Sequence, residues 1–338
     1  MDFKQFDAVI DARTPAEFAL DHVPGAISAP VLYDAERAEV GTLYKQVSQF
    51  DARKLGAALI AKNVAGHIET KFKGKDSSWR PLVYCWRGGK RSGAMAHLLR
   101  EIGWPAETLP GGYKAYRKWV VDQLSVLPFK LNFFVIHGPT GSGKSRFLHA
   151  LAAAGAQVLD LEALAEHRGS VLGDLPGRPQ PTQKWFESQL LDRISSFTGV
   201  VFVEGESKKI GNLQVPEALM ERMRASPCVV LDTGLETRVS LLMEEYRHFL
   251  EDRAHLGAQL DCLVTLHGRE KIAAWKAIAD GRELVARLLA EHYDPAYRRS
   301  SAHNFARLGE ARRVRIDAPD AEAFLRAARA LLGQAVPA

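Results

Sequence analysis

One stretch constrains this chain more than any other: Gly138-Pro139-Thr140-Gly141-Ser142-Gly143-Lys144-Ser145. It follows the apolar run Phe133-Phe134-Val135-Ile136, which reads as a strand, and it opens into Arg146 to Ala154, whose spacing predicts a helix. The pattern G-x-x-x-x-G-K-[ST] between a strand and a helix start is the sequence of a phosphate cradle. Its glycines let the backbone wrap so that successive N–H groups face an anion, and the helix N-terminus adds partial positive charge there. Gly138, Thr140, Gly141, Ser142, Gly143, Lys144 and Ser145 are therefore expected to bind a polyphosphate. Lys144 would reach its terminal phosphates, and Ser145 would offer a hydroxyl to Mg2+. The loop specifies a polyphosphate and leaves open what the polyphosphate is attached to.

With 338 residues there is room for two domains, each with its own core. Apolar residues at 46% and charged residues at 25% exclude disorder, a collagen-like fibre and a disulfide scaffold. The net charge of +5 is a mild attraction for an anionic partner and decides nothing alone. Basic pairs at Lys208-Lys209, Arg298-Arg299 and Arg312-Arg313 read first as solvated surface. The three cysteines are scattered, the start Met1-Asp2-Phe3-Lys4 lacks the apolar core of a signal peptide, and no apolar run is long enough to span a bilayer. The expectation is a cytoplasmic protein without membrane insertion.

In the first half, Ala8-Val9-Ile10 reads as a buried strand ending at Asp11, and Pro15-Ala16-Glu17-Phe18 starts a helix with proline where its missing N–H matters least. Tyr33 to Phe50 is polar with little strand character, Lys54 to Val64 has helical spacing, and Lys71 to Arg80 is a charged loop. The strand Pro81-Leu82-Val83-Tyr84 then delivers the chain to Cys85-Trp86-Arg87-Gly88-Gly89-Lys90-Arg91-Ser92. A cysteine between a buried strand and a glycine-rich helix start faces inward backbone N–H groups, which favour the thiolate and make it a nucleophile near neutral pH. Arg87, Lys90 and Arg91 add positive charge. Cys228 and Cys262 lie in apolar runs and read as inert core residues.

Asp11 to Phe18, His22-Val23-Pro24-Gly25-Ala26-Ile27, the Cys85 loop and Leu109-Pro110-Gly111-Gly112-Tyr113 together resemble the rhodanese domain, an α/β sulfurtransferase fold, over roughly residues 1 to 125. In that family the loop cysteine carries sulfur or selenium as a persulfide or perselenide. The resemblance makes Cys85 catalytic, with Arg87 and Arg91 beside it, and makes Arg13 and Glu17 structural ties between the first strand and its helix. The loop is one residue longer than is usual for the family. Cys85 to Ser92 also satisfies C-x5-R-[ST], the spacing of cysteine-dependent phosphatases, although no general-acid aspartate loop follows Ser92.

Ser125 to Lys130 reads as a linker, which divides the chain into a rhodanese-like domain over 1–127 and a P-loop NTPase-like, parallel-sheet domain over 128–338 with a helical C-terminal part. Strands are expected at Val158 to Asp160, Val200 to Glu204, Val229 to Asp232 and Val314 to Asp317. Helices are expected at Thr182 to Ser195, Leu235 to Tyr246, Glu270 to Ala279 and Arg282 to Glu291. Alternation of this kind means a parallel sheet with helices on both faces. Glu204, at a strand end, is the metal candidate beside Ser145, with Asp160 and Glu206 as competitors.

Pro179 to Glu187, Glu204 to Gly211, His292-Tyr293-Asp294-Pro295-Ala296-Tyr297 and Glu39 to Gln46, on this two-domain arrangement, are similar to the bacterial tRNA 2-selenouridine synthases. That family implies replacement of sulfur by selenium at wobble 2-thiouridine in two steps. Geranyl diphosphate first alkylates the sulfur, and selenium from selenophosphate then displaces it. The resemblance implies an anticodon stem-loop as partner, geranyl diphosphate and selenophosphate as co-substrates, and Mg2+ as a candidate cofactor. Lys144 and its loop would then serve the diphosphate and Cys85 the selenium, with Lys208, Lys209, Arg298 and Arg299 as RNA-backbone candidates. The competing readings are an ATP-dependent sulfurtransferase, a C-x5-R phosphatase fused to a nucleotide-binding module, and a nucleotide-switched binding module with Cys85 as redox sensor.

Overall fold

The computed structural model describes residues 1–169, 173–175, 177–247 and 253–333. The chain forms two compact units, one of residues 1–124 with 182–192 and the other of residues 125–181 with 193–338. No helix among the described residues is long and apolar enough to cross a membrane.

The first unit is built on four parallel strands in the order β2-β1-β3-β4, namely β1 (Ala8–Asp11), β2 (Ile27–Ser28), β3 (Pro81–Tyr84) and β4 (Glu107–Thr108). All four residues of β3 are buried, as a strand covered on both faces requires. Helices α1 (Pro15–Leu20), α2 (Asp34–Gln46), α3 (Gln49–Thr70), α4 (Lys90–Ile102) and α5 (Gly112–Leu124) complete it. Ile10, Val83, Met95 and Leu99 form the core with Phe72, Trp79 and Trp104, whose rings contact in series at 5.1 Å. The polar stretch after Tyr33 is α2. The Glu36 carboxylate accepts the Tyr33 backbone N–H at 2.8 Å and caps the helix start. None of its residues is buried, so it carries no apolar stripe to announce it.

Residues 182–192 complete the first unit. Thr182 donates its hydroxyl to the Leu20 carbonyl, Glu187 pairs with Arg117, and Trp185 stacks on His22 at 4.0 Å, which itself stacks on Phe18 at 3.7 Å. The similarity-bearing stretch Pro179 to Glu187 thus has a packing role.

The second unit holds five parallel strands in the order β11-β10-β5-β7-β6. They are β5 (Asn132–His137), β6 (Gln157–Leu159), β7 (Val200–Glu204), β10 (Cys228–Thr233) and β11 (Arg312–Ile316), while β8 (Lys209–Ile210) and β9 (Leu213–Gln214) make a small hairpin. The chain leaves central β5 for α6 (Lys144–Ala153), so the phosphate loop lies at the carboxyl end of the sheet where strand order reverses, the usual ligand position in such folds. Phe147, Leu148 and Leu151 of α6 pack on Ile136, Phe202 and Leu231, together with Phe324, Ala328 and Leu331, one face of the helix Ala321–Gly333. Asp160, expected inside a strand, caps α7 (Leu161–Ala165) instead, accepting the Ala163 N–H at 2.8 Å. Helix α8 (Gln183–Ser195) begins in the first unit and ends in the second, and α9 (Glu217–Arg224) and α10 (Leu235–Glu245) follow. The helical part spans Arg253–Asp261, Val264–His267, Arg269–Ala277 and Gly281–Leu288, then a π-helical turn Leu289–Tyr293 and Asp294–Asn304. Cys262 is exposed there, not in a core. On a helical path its neighbours Leu260 and Leu263 turn inward while it turns out.

Candidate functional site

The strand β3 and the first turn of α4 hold Cys85 at the centre of a tight cradle. Its sulfur accepts the Ser92 hydroxyl at 3.2 Å, and the residue as a whole is only 4% exposed. Burial works against ionisation, but the Ser92 hydroxyl and the backbone N–H groups of Ser92, Gly89 and Arg87 outweigh it, and the thiol lies below its ordinary pKa. The α4 N-terminus, capped at Gly89, points the same way. Gly112 closes the cradle from below at φ 58°, where an added Cβ would lie 2.2 Å from the Cys85 carbonyl oxygen and 2.4 Å from the Gly88 nitrogen. Cys228, by contrast, is buried in β10 and its thiol is pushed up to about 11 by that burial.

The cations expected around Cys85 divide their work. Arg87 contributes its backbone N–H to the sulfur. Arg91 is bonded to Glu17 at 2.7 and 3.3 Å, so the guanidinium that the C-x5-R reading would place over an anion braces the α1 start instead. Arg13 ties β1 to the end of α1, reaching Asp11 at 2.6 Å and the Asp21 carbonyl at 2.5 Å, with its guanidinium 3.9 Å from the Tyr113 ring. Tyr84 and Tyr113 donate to Asp11 and Asp21 at 2.7 and 2.8 Å, so a buried polar network underlies the loop.

In the second unit the loop from Gly138 to Ser145 wraps the N-terminus of α6. Gly143 has φ 83° and would place a Cβ 2.4 Å from the Phe324 ring, so glycine is required there. Lys144 Nζ lies 3.4 Å from the Gly138 carbonyl oxygen, across the loop. Ser145 donates its hydroxyl to Glu162 at 2.9 Å, and the Glu162 backbone N–H is bonded to Glu204 at 2.8 Å. Glu204 Oε2 is buried without a partner. Burial, then the charge of Glu206, pushes the Glu162 carboxyl up to about 8, against Lys144 and Ser145. Burial and the carboxylates of Asp160, Glu162 and Glu206 raise Glu204 well above its usual range, and burial raises Glu206 despite Lys144. His137, at the end of β5, is pushed down to about 4 by burial and by Lys144.

Among the described residues no group of three or more His, Cys, Asp or Glu side chains is arranged to hold a metal by itself. The arrangement does fit a cation held chiefly by substrate phosphates. Mg2+ takes one or two protein oxygens alongside phosphates and water, and Ser145 and Glu204, with its orphaned Oε2, supply such hard donors. Sequence reasoning reached Glu204, Asp160 and Glu206 and missed Glu162. Its signal was a second acid two residues beyond Asp160 at the end of a short strand.

Of the basic residues expected to face RNA, Lys208 pairs with Glu217, Lys209 is exposed on β8, and Arg298 and Arg299 are exposed on Asp294–Asn304.

A cysteine of lowered pKa in a strand-to-helix amide cradle on a four-stranded parallel sheet, and a glycine-rich G-x-x-x-x-G-K-S loop on a five-stranded one, define a rhodanese-like unit followed by a P-loop-type α/β unit. The known families agree: residues 1–118 match the rhodanese-like domain and residues 131–261 the tRNA 2-selenouridine synthase AAA domain. A tRNA 2-selenouridine synthase of Sulfurovum sp. (strain NBC37-1) is 32% identical over 353 residues, covering 94% of each chain. The chain belongs to the tRNA 2-selenouridine synthase family. Proteins of that name from Bdellovibrio bacteriovorus and Nitrosomonas europaea are 37% and 36% identical over 72% and 70% of this chain, and the matches span 65% and 63% of those relatives' own lengths.

Proposed function

We propose that the chain converts 2-thiouridine in tRNA to 2-selenouridine through an S-geranyl intermediate, with geranyl diphosphate and selenophosphate as co-substrates. The observation that carries the reading is the presence of two differently armed oxyanion cradles in one chain, one presenting a lysine and a serine hydroxyl, the other a stabilised thiolate. Family membership supports the tRNA-modifying class.

In the first step the thiocarbonyl sulfur attacks C1 of geranyl diphosphate, and the C–O bond breaks with its electron pair going to diphosphate. The Gly138 to Ser145 loop receives that developing charge through its amides and Lys144. Bound Mg2+, held by Ser145 and Glu204, would add electrostatic neutralisation of the same charge. In the second step the selenium of selenophosphate attacks C2 of the base and the C2–S bond breaks with its electron pair leaving on the geranyl thiolate; water then takes the phosphoryl group, so that the Se–P bond breaks and inorganic phosphate is released. A thioether is a far better leaving group than a thiocarbonyl, which gives the first step its purpose. Cys85 is assigned to this second step as the soft, activated nucleophile that handles selenium, with Arg87 and Arg91 shaping its cradle. The anticodon base is taken out of its stack to react, and Lys208, Lys209, Arg298 and Arg299 contribute backbone contacts. A tRNA substrate sets the cytoplasm as the place of action.

The test is reconstitution with a 2-thiouridine anticodon stem-loop, geranyl diphosphate and selenophosphate added in turn, weighing the nucleosides released by digestion. Cys85→Ser is expected to accumulate the geranylated nucleoside and make no selenouridine, and Lys144→Ala to make neither. Loss of geranylation in Cys85→Ser as complete as loss of selenation refutes the division of labour. Nucleotide hydrolysis coupled to sulfur transfer, with no geranylated product, refutes the function.

A further inference from the structure

Two carbonyls of the phosphate loop are tied down from outside the cradle. Arg238 Nε donates to the Thr140 carbonyl oxygen at 2.9 Å, and the Thr233 hydroxyl donates to the Ser142 carbonyl oxygen at 2.9 Å. Thr233 ends β10, the strand that pairs with β5, and Arg238 lies in the first turn of α10, the helix that follows it. Arg238 is 5% exposed, and the other edge of its guanidinium is held by both oxygens of Asp294 at 2.6 and 3.1 Å.

The consequence follows from the planar peptide unit. No cis bond is present among the described residues, and in a trans unit the N–H points opposite to the C=O. The Thr140 carbonyl shares its unit with the Gly141 N–H, and the Ser142 carbonyl shares its unit with the Gly143 N–H. Bonding these two oxygens outward turns the two glycine amides the other way. The intervening unit does something different, since the Ser142 N–H donates to the Pro139 carbonyl at 3.0 Å and closes the turn. Glycine-flanked units rotate easily, and a rotated unit would aim a carbonyl dipole at a bound anion.

We infer that Arg238 and Thr233 are positioning residues that hold the Gly141 and Gly143 amides towards a bound diphosphate, with Asp294 fixing Arg238 in place. This rests on the polyphosphate reading of the loop. A buried guanidinium beside the apolar side chains of Val239 and Leu242 is a poor source of stability compared with an aliphatic residue of similar volume. What it supplies here is the orientation of one peptide unit. It also accounts for Asp294 in the stretch His292 to Tyr297, which has no phosphate loop of its own to serve.

The probe is inorganic pyrophosphate with Mg2+, titrated calorimetrically into the full chain. Arg238→Ala and Thr233→Val are each expected to weaken binding about tenfold to a hundredfold, the range for a hydrogen bond that orients donors to a charged group. Methylguanidine in solution restores part of the Arg238→Ala loss, whereas Arg238→Lys, which cannot make the forked contact, stays weak. Thr233→Ser keeps the hydroxyl and binds like the wild type. Cys228, buried in β10 of the same unit, stays protected from alkylation throughout, which reports that the second unit is folded. Wild-type affinity in folded Arg238→Ala or Thr233→Val overturns the inference, and so does a loss in Thr233→Ser equal to that in Thr233→Val. If Arg238→Ala does not fold, the Thr233 pair decides. Failure of the wild-type chain to bind pyrophosphate overturns the polyphosphate reading and this inference with it; binding by the wild type with unchanged variants overturns this inference alone.

Discussion

Replacing Gly112 by alanine tests the Cys85 cradle most directly, because the structure separates two contributions to its effect. The first is backbone strain. Alanine at φ 58° enters the left-handed region at about 1–2 kcal/mol. The second is collision: the new Cβ would lie 2.2 Å from the Cys85 oxygen and 2.4 Å from the Gly88 nitrogen, both backbone atoms that can yield only if the loop moves. Forced repacking of this kind costs about 1–3 kcal/mol more. Gly25 provides the control in the same unit, with φ 77° and nothing within 4 Å of the added Cβ, so Gly25→Ala carries the strain alone. The expected losses are thus about 1–2 kcal/mol for Gly25→Ala and about 2–5 kcal/mol for Gly112→Ala. Urea unfolding read through pulse labelling of Cys85 gives both values, and the rate of Cys85 alkylation in the native protein gives the functional consequence. Gly112→Ala should slow alkylation at near-neutral pH, since moving the Cys85 carbonyl and the Gly88 nitrogen shifts the turn whose Arg87 and Gly89 amides face the sulfur. Equal destabilisation by the two substitutions, or a wild-type alkylation rate in Gly112→Ala, refutes the steric argument.

Three further outcomes are expected. Ser92→Ala removes the hydroxyl bonded to Cys85 at 3.2 Å, so the pH profile of Cys85 alkylation should move to higher pH; a profile that is unmoved or moves down contradicts the assignment of that donor. Glu162, whose carboxyl is pushed up to about 8, binds a proton in the folded state that the unfolded chain has released above about 4.5. Its contribution is therefore full at low pH and is lost as pH rises through that window. Calorimetric stability of the second unit should fall across it, and Glu162→Gln should flatten the fall. Arg91→Met leaves the partly buried Glu17 with only the Thr14 N–H and a 3.6 Å contact to Arg37, and should destabilise the first unit by about 1–3 kcal/mol in urea unfolding, with no effect on pyrophosphate binding by the second unit.

Much of the fold was legible because its strands are short apolar runs that end in chemistry. β3 delivers Cys85 and β7 delivers Glu204 at the residues expected of a strand, and β5 delivers the phosphate loop from a strand one residue longer at each end than Phe133 to Ile136. What escaped it lacked a local signal. The helix α2 buries nothing, and Cys262 looks apolar by its neighbours while helical geometry turns it to solvent. Asp160 reads equally as a strand end or a cap. In the candidate sites, the loops themselves were plain and their partners were not. Glu17 meets Arg91 across 74 positions, Arg238 meets Thr140 across 98, and Asp294 meets Arg238 across 56, separations at which no spacing rule operates.

The first unit also takes in residues 182–192, so its polypeptide is not one uninterrupted segment. A protein ended at Leu124 would lack the indole that covers His22 and the carboxylate that meets Arg117. A single joint near residue 124 would therefore part the first unit from residues 182–192, and moving that unit whole takes two joints.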